Sequence, residues 1–201
     1  MNPEIVVFDL GKVLLDFDFS RAATRLSESS KASFEDLNAL INQSPHLHAY
    51  EKGAMTTEAF IGQIIMESGF DGTVGDFEEA FSDIFTERPN MIALNRRLRA
   101  GGIKTYIFSN TNDMAIRFIR NRYAFFAEFD DYTFSYVSGA MKPEPKIYED
   151  VESMVGEKGE KLLFIDDRLE NIEAARARGW FGIHHHDEMA TIEEVMKLLQ
   201  L

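Results

Sequence analysis

The 201-residue chain is 45% apolar and 27% charged, the balance of a globular protein, and it is long enough for one domain, or a domain with a small insert, that buries about 70% of its unfolded surface. Its 34 acidic against 21 basic residues give a formal net charge of -13, which argues against nucleic acid or an anionic membrane as a partner, because both attract clustered positive charge. There is no cysteine, which excludes disulfides, thiolate nucleophiles and cysteine metal sites. Met1 to Glu4 lack the basic stretch of a signal peptide, and no apolar run approaches the ~20 residues of a membrane helix. The expectation is a cytoplasmic protein, monomer or homodimer.

In chain order, the first buried run is Ile5 to Phe8, a strand. From residue 19 to 85 only helical signals follow: Arg21 to Glu28, Phe34 to Ile41, Thr57 to Ser68 and Phe77 to Phe85. Phe60, Ile61, Ile64 and Ile65 form a helical stripe that reads as packing between these helices. Met91 to Ala100 has Pro89 near its first turn and Gly101-Gly102 as its stop. A strand over Lys104 to Phe108 comes next, then a weaker one over Tyr132 to Val137. A proline-started helix spans Pro145 to Val155, and a strand spans Leu162 to Ile165. The helix Leu169 to Arg178 ends at Gly179. A weak strand over Trp180 to Ile183 precedes a last helix, with Thr191 and Glu194 as its capping box and its end near Leu199.

Continuous apolar strands are those covered on both faces, and strands alternating with helices make an α/β fold: a doubly wound parallel Rossmann-like sheet with an inserted all-helical cap. Residues 1–18 and 86–201 form the α/β core and 19–85 the helical cap. A cover beside the first strand's carboxyl end lies where open sheets bind ligands.

Four polar clusters follow buried strands or lie in the loop between them. Asp9 is pushed to the sheet's rim by the four apolar residues before it, as a turn or cap residue, a nucleophile or a metal ligand. Ser109-Asn110-Thr111-Asn112 suits a helix N-cap or an oxyanion cradle. Lys142 precedes two prolines that stiffen its loop, which favours a positioned ammonium over a solvated one. Asp166 and Asp167 repel each other unless a cation or a helix terminus joins them, and all-oxygen donors suit a hard cation such as Mg²⁺. His184-His185-His186 alternate in direction and read as a surface loop, and Arg96, Arg97 and Arg99 as a solvated helix face. Many of the 17 phenylalanines fall in the insert and form its core and its seam with the sheet.

The order strand-Asp, strand-Ser-Asn, loop-Lys-Pro, strand-Asp-Asp-x-x-x-Asn resembles the haloacid dehalogenase superfamily over the whole chain. Phe8-Asp9-Leu10-Gly11-Lys12-Val13 resembles its small bacterial glucose-1-phosphate phosphatases, and Tyr50-Glu51-Lys52-Gly53 with Thr56 to Phe60 resembles the cap of the branch with the epoxide hydrolase phosphatase domain. The resemblance implies a Mg²⁺-dependent phosphatase of a small phosphorylated metabolite, a sugar phosphate among the choices, working through an aspartyl-phosphate. It implies Asp9 as nucleophile and metal ligand, with Asp167, the Gly11 carbonyl and Asp166 completing the metal site. Ser109 and Asn110 would hold phosphoryl oxygens, Lys142 would neutralise charge between phosphate and nucleophile, and Asn171 would brace the site. One departure is Gly11, which stands where the superfamily commonly has a second aspartate as general acid. Asp16, Asp18, His46, His48 and Glu51 are the candidate substitutes. The alternatives are a 2-haloacid dehalogenase, which attacks carbon with Asp9 and needs no metal, and a catalytically weak phosphate-binding or regulatory protein.

Overall fold

A computed structural model describes residues 3–42 and 44–201 of the chain; Met1 and Asn2, part of the stretch inspected for a signal peptide, lie outside the described residues. From the N-terminal end, β1 (Ile5–Phe8) leads through a tight turn into β2 (Leu15–Phe17). Five helices follow: α1 (Phe19–Ser27), α2 (Phe34–Ile41), α3 (Pro45–Glu51), α4 (Thr57–Ser68) and α5 (Val74–Ser82). The chain returns through β3 (Phe85–Glu87) to α6 (Pro89–Ala100), β4 (Lys104–Ser109) and α7 (Asp113–Arg122). Then come β5 (Asp131–Phe134), the single turn α8 (Ser135–Ser138), α9 (Pro145–Val155) and β6 (Leu162–Asp166). α10 (Leu169–Ala177), β7 (Phe181–His184) and α11 (Glu188–Leu199) complete it.

The main sheet has the order β5-β4-β1-β6-β7, and every pairing in it is parallel. This is the expected doubly wound sheet. The chain builds outward from β1 through β4 and β5, then crosses back to place β6 on the other side. The reversal therefore falls between β1 and β6, where open sheets leave a crevice at their carboxyl ends. Alternate residues of each strand face opposite layers. Val6, Phe8, Ile107 and Ile165 pack with Leu94 and Leu98 of α6, Ile116 and Ile119 of α7 and Val195 of α11. Ile5, Val7, Phe108 and Phe164 pack with Ile147 and Val151 of α9 and Ile172 of α10. Both faces are buried, which is why these strands read as unbroken apolar runs.

The five helices between β2 and β3 have a core of their own. At its centre Phe60 stacks on Tyr50 at 4.7 Å and meets Phe81 edge-on at 5.2 Å. β2 and β3 pair antiparallel, with Leu15 opposite Glu87 and Phe17 opposite Phe85. The outgoing and returning chain thus form a short two-stranded stalk beneath the helices.

The structure corrects several expectations. The stalk was not foreseen, and its second strand takes Phe85 from the helix expected over Phe77 to Phe85. That helix instead starts at Val74, capped by Thr73, and ends at Ser82 because Asp83 leaves helical geometry. α3 and α7 were also not foreseen as helices; α3 starts with Ser44 as cap and Pro45 in its first turn. The strand expected over Tyr132 to Val137 stops at Phe134, where α8 begins. α11 starts one turn before the expected capping box. Its N-cap is Asp187, which accepts from the Ala190 amide at 2.8 Å, while Thr191 is buried with its hydroxyl 2.8 Å from His185 Nδ1. The three histidines are accordingly not a plain surface loop: His184 ends β7, His185 is buried and His186 is exposed, as alternation along a strand dictates.

Asp187→Ala removes the observed cap and should destabilise the protein by about 1 kcal/mol in urea unfolding, whereas Glu194→Ala should change stability by less than about 0.5 kcal/mol. The reverse ranking would restore the Thr191 capping box.

Candidate active site

The four polar clusters meet at the carboxyl edge of β1, β4 and β6. Lys142 is the junction. Its Nζ lies 2.8 Å from Asp9 Oδ1 and 2.7 Å from Asp166 Oδ2, and it donates to the Phe108 carbonyl at 3.0 Å. The rings of Phe108 and Phe164 flank the ammonium at 5.0 and 5.3 Å. Its loop is held by Asn110, whose side-chain oxygen accepts from the Lys142 amide at 2.8 Å and whose side-chain nitrogen donates to the Lys142 carbonyl at 3.0 Å. The Asn110 side chain is thereby engaged through both its oxygen and its nitrogen, as a clamp on the Lys142 loop. Ser135 fixes the same stretch through bonds with the Thr111 amide (2.9 Å) and carbonyl (3.1 Å), and Asn112 caps α7.

Asp166 is completely buried. One of its oxygens accepts from the Arg168 amide at 2.8 Å, the other from Lys142, and the Asn171 side chain donates to both at 3.0 and 3.1 Å. Asp9 Oδ1 is engaged by Lys142 and by the Leu10 amide at 2.7 Å. Asp167 is half-buried and enters no ion pair among the described residues. One oxygen from each of Asp9, Asp166 and Asp167 falls within 4.8 Å of the others. Two carboxylates thus share one ammonium and a third, Asp167, lies beside them unpaired among the described residues, a formal excess of two negative charges in a largely buried cluster. Asn171 Oδ1 is buried there without a hydrogen-bond partner.

The electrostatics follow from that excess. Burial pushes the Asp9 carboxyl up to about 7 despite the ammonium beside it, and the Asp166 and Asp167 charges add to the rise. Asp167 is raised by burial and then by Asp166. Burial works against a charged Lys142, but Asp166 and Asp9 outweigh it and hold its ammonium above the ordinary lysine value.

The cluster opens into a cavity of about 660 Å³ between sheet and helical insert. Asp9, Gly11, Ser109, Lys142 and Asp167 line its floor; Phe17, Phe19, His48 and Glu51 line it from the other side. An apolar annex continues from it between Phe19, Phe81, Ile84, Phe85 and Ile119. The five candidate acids scatter. Asp16 pairs with Lys12 and Arg88, Asp18 caps α1, and His46 pairs with Glu67 at 3.1 Å away from this cavity. His48 is exposed at the cavity's wall, and only Glu51 reaches it partly buried. Phe17 and Phe19 form an aromatic wall, and nothing in the sequence distinguishes these phenylalanines from those of the insert's core.

A family model described as haloacid dehalogenase-like hydrolase matches residues 3–179. The sesquiterpene phosphatase astK of Aspergillus oryzae is 27% identical over 197 residues, covering 96% of this chain and 95% of that protein. A haloacid dehalogenase family enzyme of Bacteroides thetaiotaomicron, solved in complex with magnesium and inorganic phosphate, superposes with a TM-score of 0.81 at 22% identity, over 92% of this chain and 94% of that one. An L-2-haloacid dehalogenase of Xanthobacter autotrophicus with chloropropionic acid covalently bound gives 0.66 at 16% identity, over 97% and 83%. At these identities the two structures show a shared fold.

The Asp9 carboxyl rises from 3.8 to about 7 on folding, so the stability it contributes is present below about 3.8 and lost as pH rises through about 7. In chelator-treated protein, Asp9→Asn should therefore gain stability over the wild type from pH 5 to about 7 and level off above it, as read by urea unfolding. A difference that stays constant across that range would show that Asp9 carries no such strain.

Proposed function

The chain belongs to the haloacid dehalogenase-like hydrolase family, and on that premise we propose that it is a Mg²⁺-dependent phosphatase of a small phosphorylated metabolite, sugar phosphates among the candidates. The observation that carries this reading is the buried cluster of three carboxylates around one ammonium at the floor of a cavity of substrate size. A phosphate dianion is repelled by a pocket in which carboxylates outnumber the ammonium three to one, and a cation entering with it removes that repulsion. The donor set is hard oxygen throughout, which fits Mg²⁺. Asp9, Asp167 and the Gly11 carbonyl are the residues that would hold it, with Asp166, its oxygens engaged by Lys142, Arg168 and Asn171, as the support behind them. When bound, the cation supplies charge cancellation between the phosphoryl oxygens and the carboxylates.

The chain's own residues do the rest. Lys142, held by Asp166 and Phe108, orients the Asp9 carboxylate through Oδ1 and leaves its other oxygen for attack on phosphorus. The attack forms an aspartyl-phosphate and releases the alcohol, and water then returns Asp9 and frees inorganic phosphate. The Ser109 hydroxyl and the Asn110 backbone amide hold phosphoryl oxygens, close to the N-terminus of α7. In this reading residues 1–18 and 86–201 are the catalytic core, 19–85 the cap over it, and the protein works in the cytoplasm as a monomer or homodimer.

A 2-haloacid dehalogenase would use Asp9 on carbon and would leave the charge excess without a purpose. A weak phosphate-binding protein would follow if nothing replaced the acid missing at Gly11. The test is phosphate release from a panel of sugar, nucleoside and lipid-alcohol phosphates. Release that needs Mg²⁺, stops with chelator and drops about 10³-fold or more in Asp9→Asn is the expected result. Chelator-insensitive chloride release from 2-chloropropionate would favour the dehalogenase, and a stable phosphoenzyme without turnover the binding protein.

A further inference from the structure

Gly11 supplies no proton, and its surroundings keep a side chain out. A Cβ on Gly11 would lie 2.8 Å from Phe17 Cε1. Phe17 is fixed in turn by Phe19 and Phe85, at ring distances of 5.9 and 6.4 Å, and by the Lys12 ammonium 4.5 Å from its ring centre. With no side chain at Gly11, the opposite wall of the cavity offers His48, which is exposed, and Glu51, which is partly buried, as acids for the departing oxygen. Glu51 is on that wall, at the last residue of α3 and beside both the polar cavity and its apolar annex.

The backbone around Glu51 is tied to the sheet layer on both sides. The Tyr50 hydroxyl accepts from the Met114 amide of α7 at 3.1 Å, and Lys52 pairs with Glu144 at 2.7 Å, two residues beyond Lys142. Gly53, at φ +74°, packs so closely on the core that a Cβ there would meet the Tyr136 carbonyl oxygen at 2.3 Å. Contacts of Tyr50, Lys52 and Gly53, on either side of it in the chain, thus hold Glu51 over the hollow, yet its own carboxyl forms no hydrogen bond or ion pair among the described residues. Its partly buried carboxyl lines the cavity and is taken up by no neighbouring side chain or amide among the described residues. Burial raises it to about 7, close to the pH at which an acid exchanges protons best.

We propose that Glu51 is the general acid and base of this site, in the place left empty by Gly11; the proposal rests on the phosphatase reading above. As an Asp9 oxygen bonds to phosphorus, the bond from phosphorus to the substrate's alcohol oxygen breaks. That oxygen keeps the bonding pair, takes the Glu51 proton and leaves as the alcohol. The Glu51 carboxylate then takes a proton from water as the water oxygen bonds to phosphorus. The Asp9–phosphorus bond breaks with its electrons returning to Asp9, inorganic phosphate departs, and Glu51 is again an acid.

The test compares kcat/KM, which reports steps up to alcohol release, for a simple alkyl monophosphate and for p-nitrophenyl phosphate, whose phenolate leaves without a proton. Glu51→Gln should lose about 10²-fold or more on the alkyl ester and at least about tenfold less than that on the aryl ester. Glu51→Asp, which keeps the acid on a shorter arm and guards against a folding defect of the first variant, should recover part of the alkyl loss. Equal losses on the two esters, or none on either, would overturn the proposal while leaving the phosphatase reading intact. A wild type that hydrolyses neither these esters nor any phosphate of the panel above, with Mg²⁺ present, overturns the phosphatase reading and this proposal with it.

Discussion

The arrangement depends on a single ammonium. Lys142 stands between Asp9 and Asp166, almost fully buried and flanked by two phenylalanine rings, at the floor of the cavity. Its position is over-determined: Asn110 grips its backbone, the Phe108 carbonyl and both carboxylates grip its nitrogen, and Asn171 steadies Asp166 from behind. Such a pair is costly to bury and worth keeping only if it does something other than add stability. Here it fixes the angle of Asp9 and still leaves the cluster short of positive charge. That shortage is the site's chemical potential for a divalent ion.

The fold explains why these groups meet. The sheet is covered on both faces, so its central strands β1 and β6 carry no polar side chains until the chain reaches the carboxyl rim. Because the strand order reverses between β1 and β6, Asp9 and the Asp166–Asp167 pair emerge as neighbours although they are far apart in sequence. β4, on the other side of β1, brings Ser109 and Asn110 to the same rim. The stalk of β2 and β3 then returns the helical insert over that rim, with Phe17 and Glu51 facing the floor.

Much of this was legible from residue order. Apolar runs ending in a polar cluster mark buried strands and their rim, and the helices with proline starts and glycine stops fell close to where they were expected, as Pro145–Val155 shows. That Asp9 and the Asp166–Asp167 pair reach one edge was expected from their places after buried strands, and that Lys142 joins them was expected from the family resemblance. What escaped notice depended on contacts rather than pattern. Three-residue strands such as Leu15–Phe17 are too short for any periodicity, and their pairing is set by where the insert leaves and returns. The cap of α11 was misplaced because Thr191 and Glu194 have the spacing of a capping box, but Thr191 is drawn inward by His185. That the Asn110 side chain would clamp a loop, and that Phe17 would fill the space beside Gly11, are tertiary facts with no local signature.

The unbalanced charge of the cluster is tested most directly by calorimetric titration of Mg²⁺ into chelator-treated wild type and Asp167→Asn. One ion bound per wild-type chain, with affinity lowered about tenfold or more in the variant, is the expected pattern. Wild type that takes up no Mg²⁺, or a variant that takes it up equally well, would contradict a site built around missing positive charge.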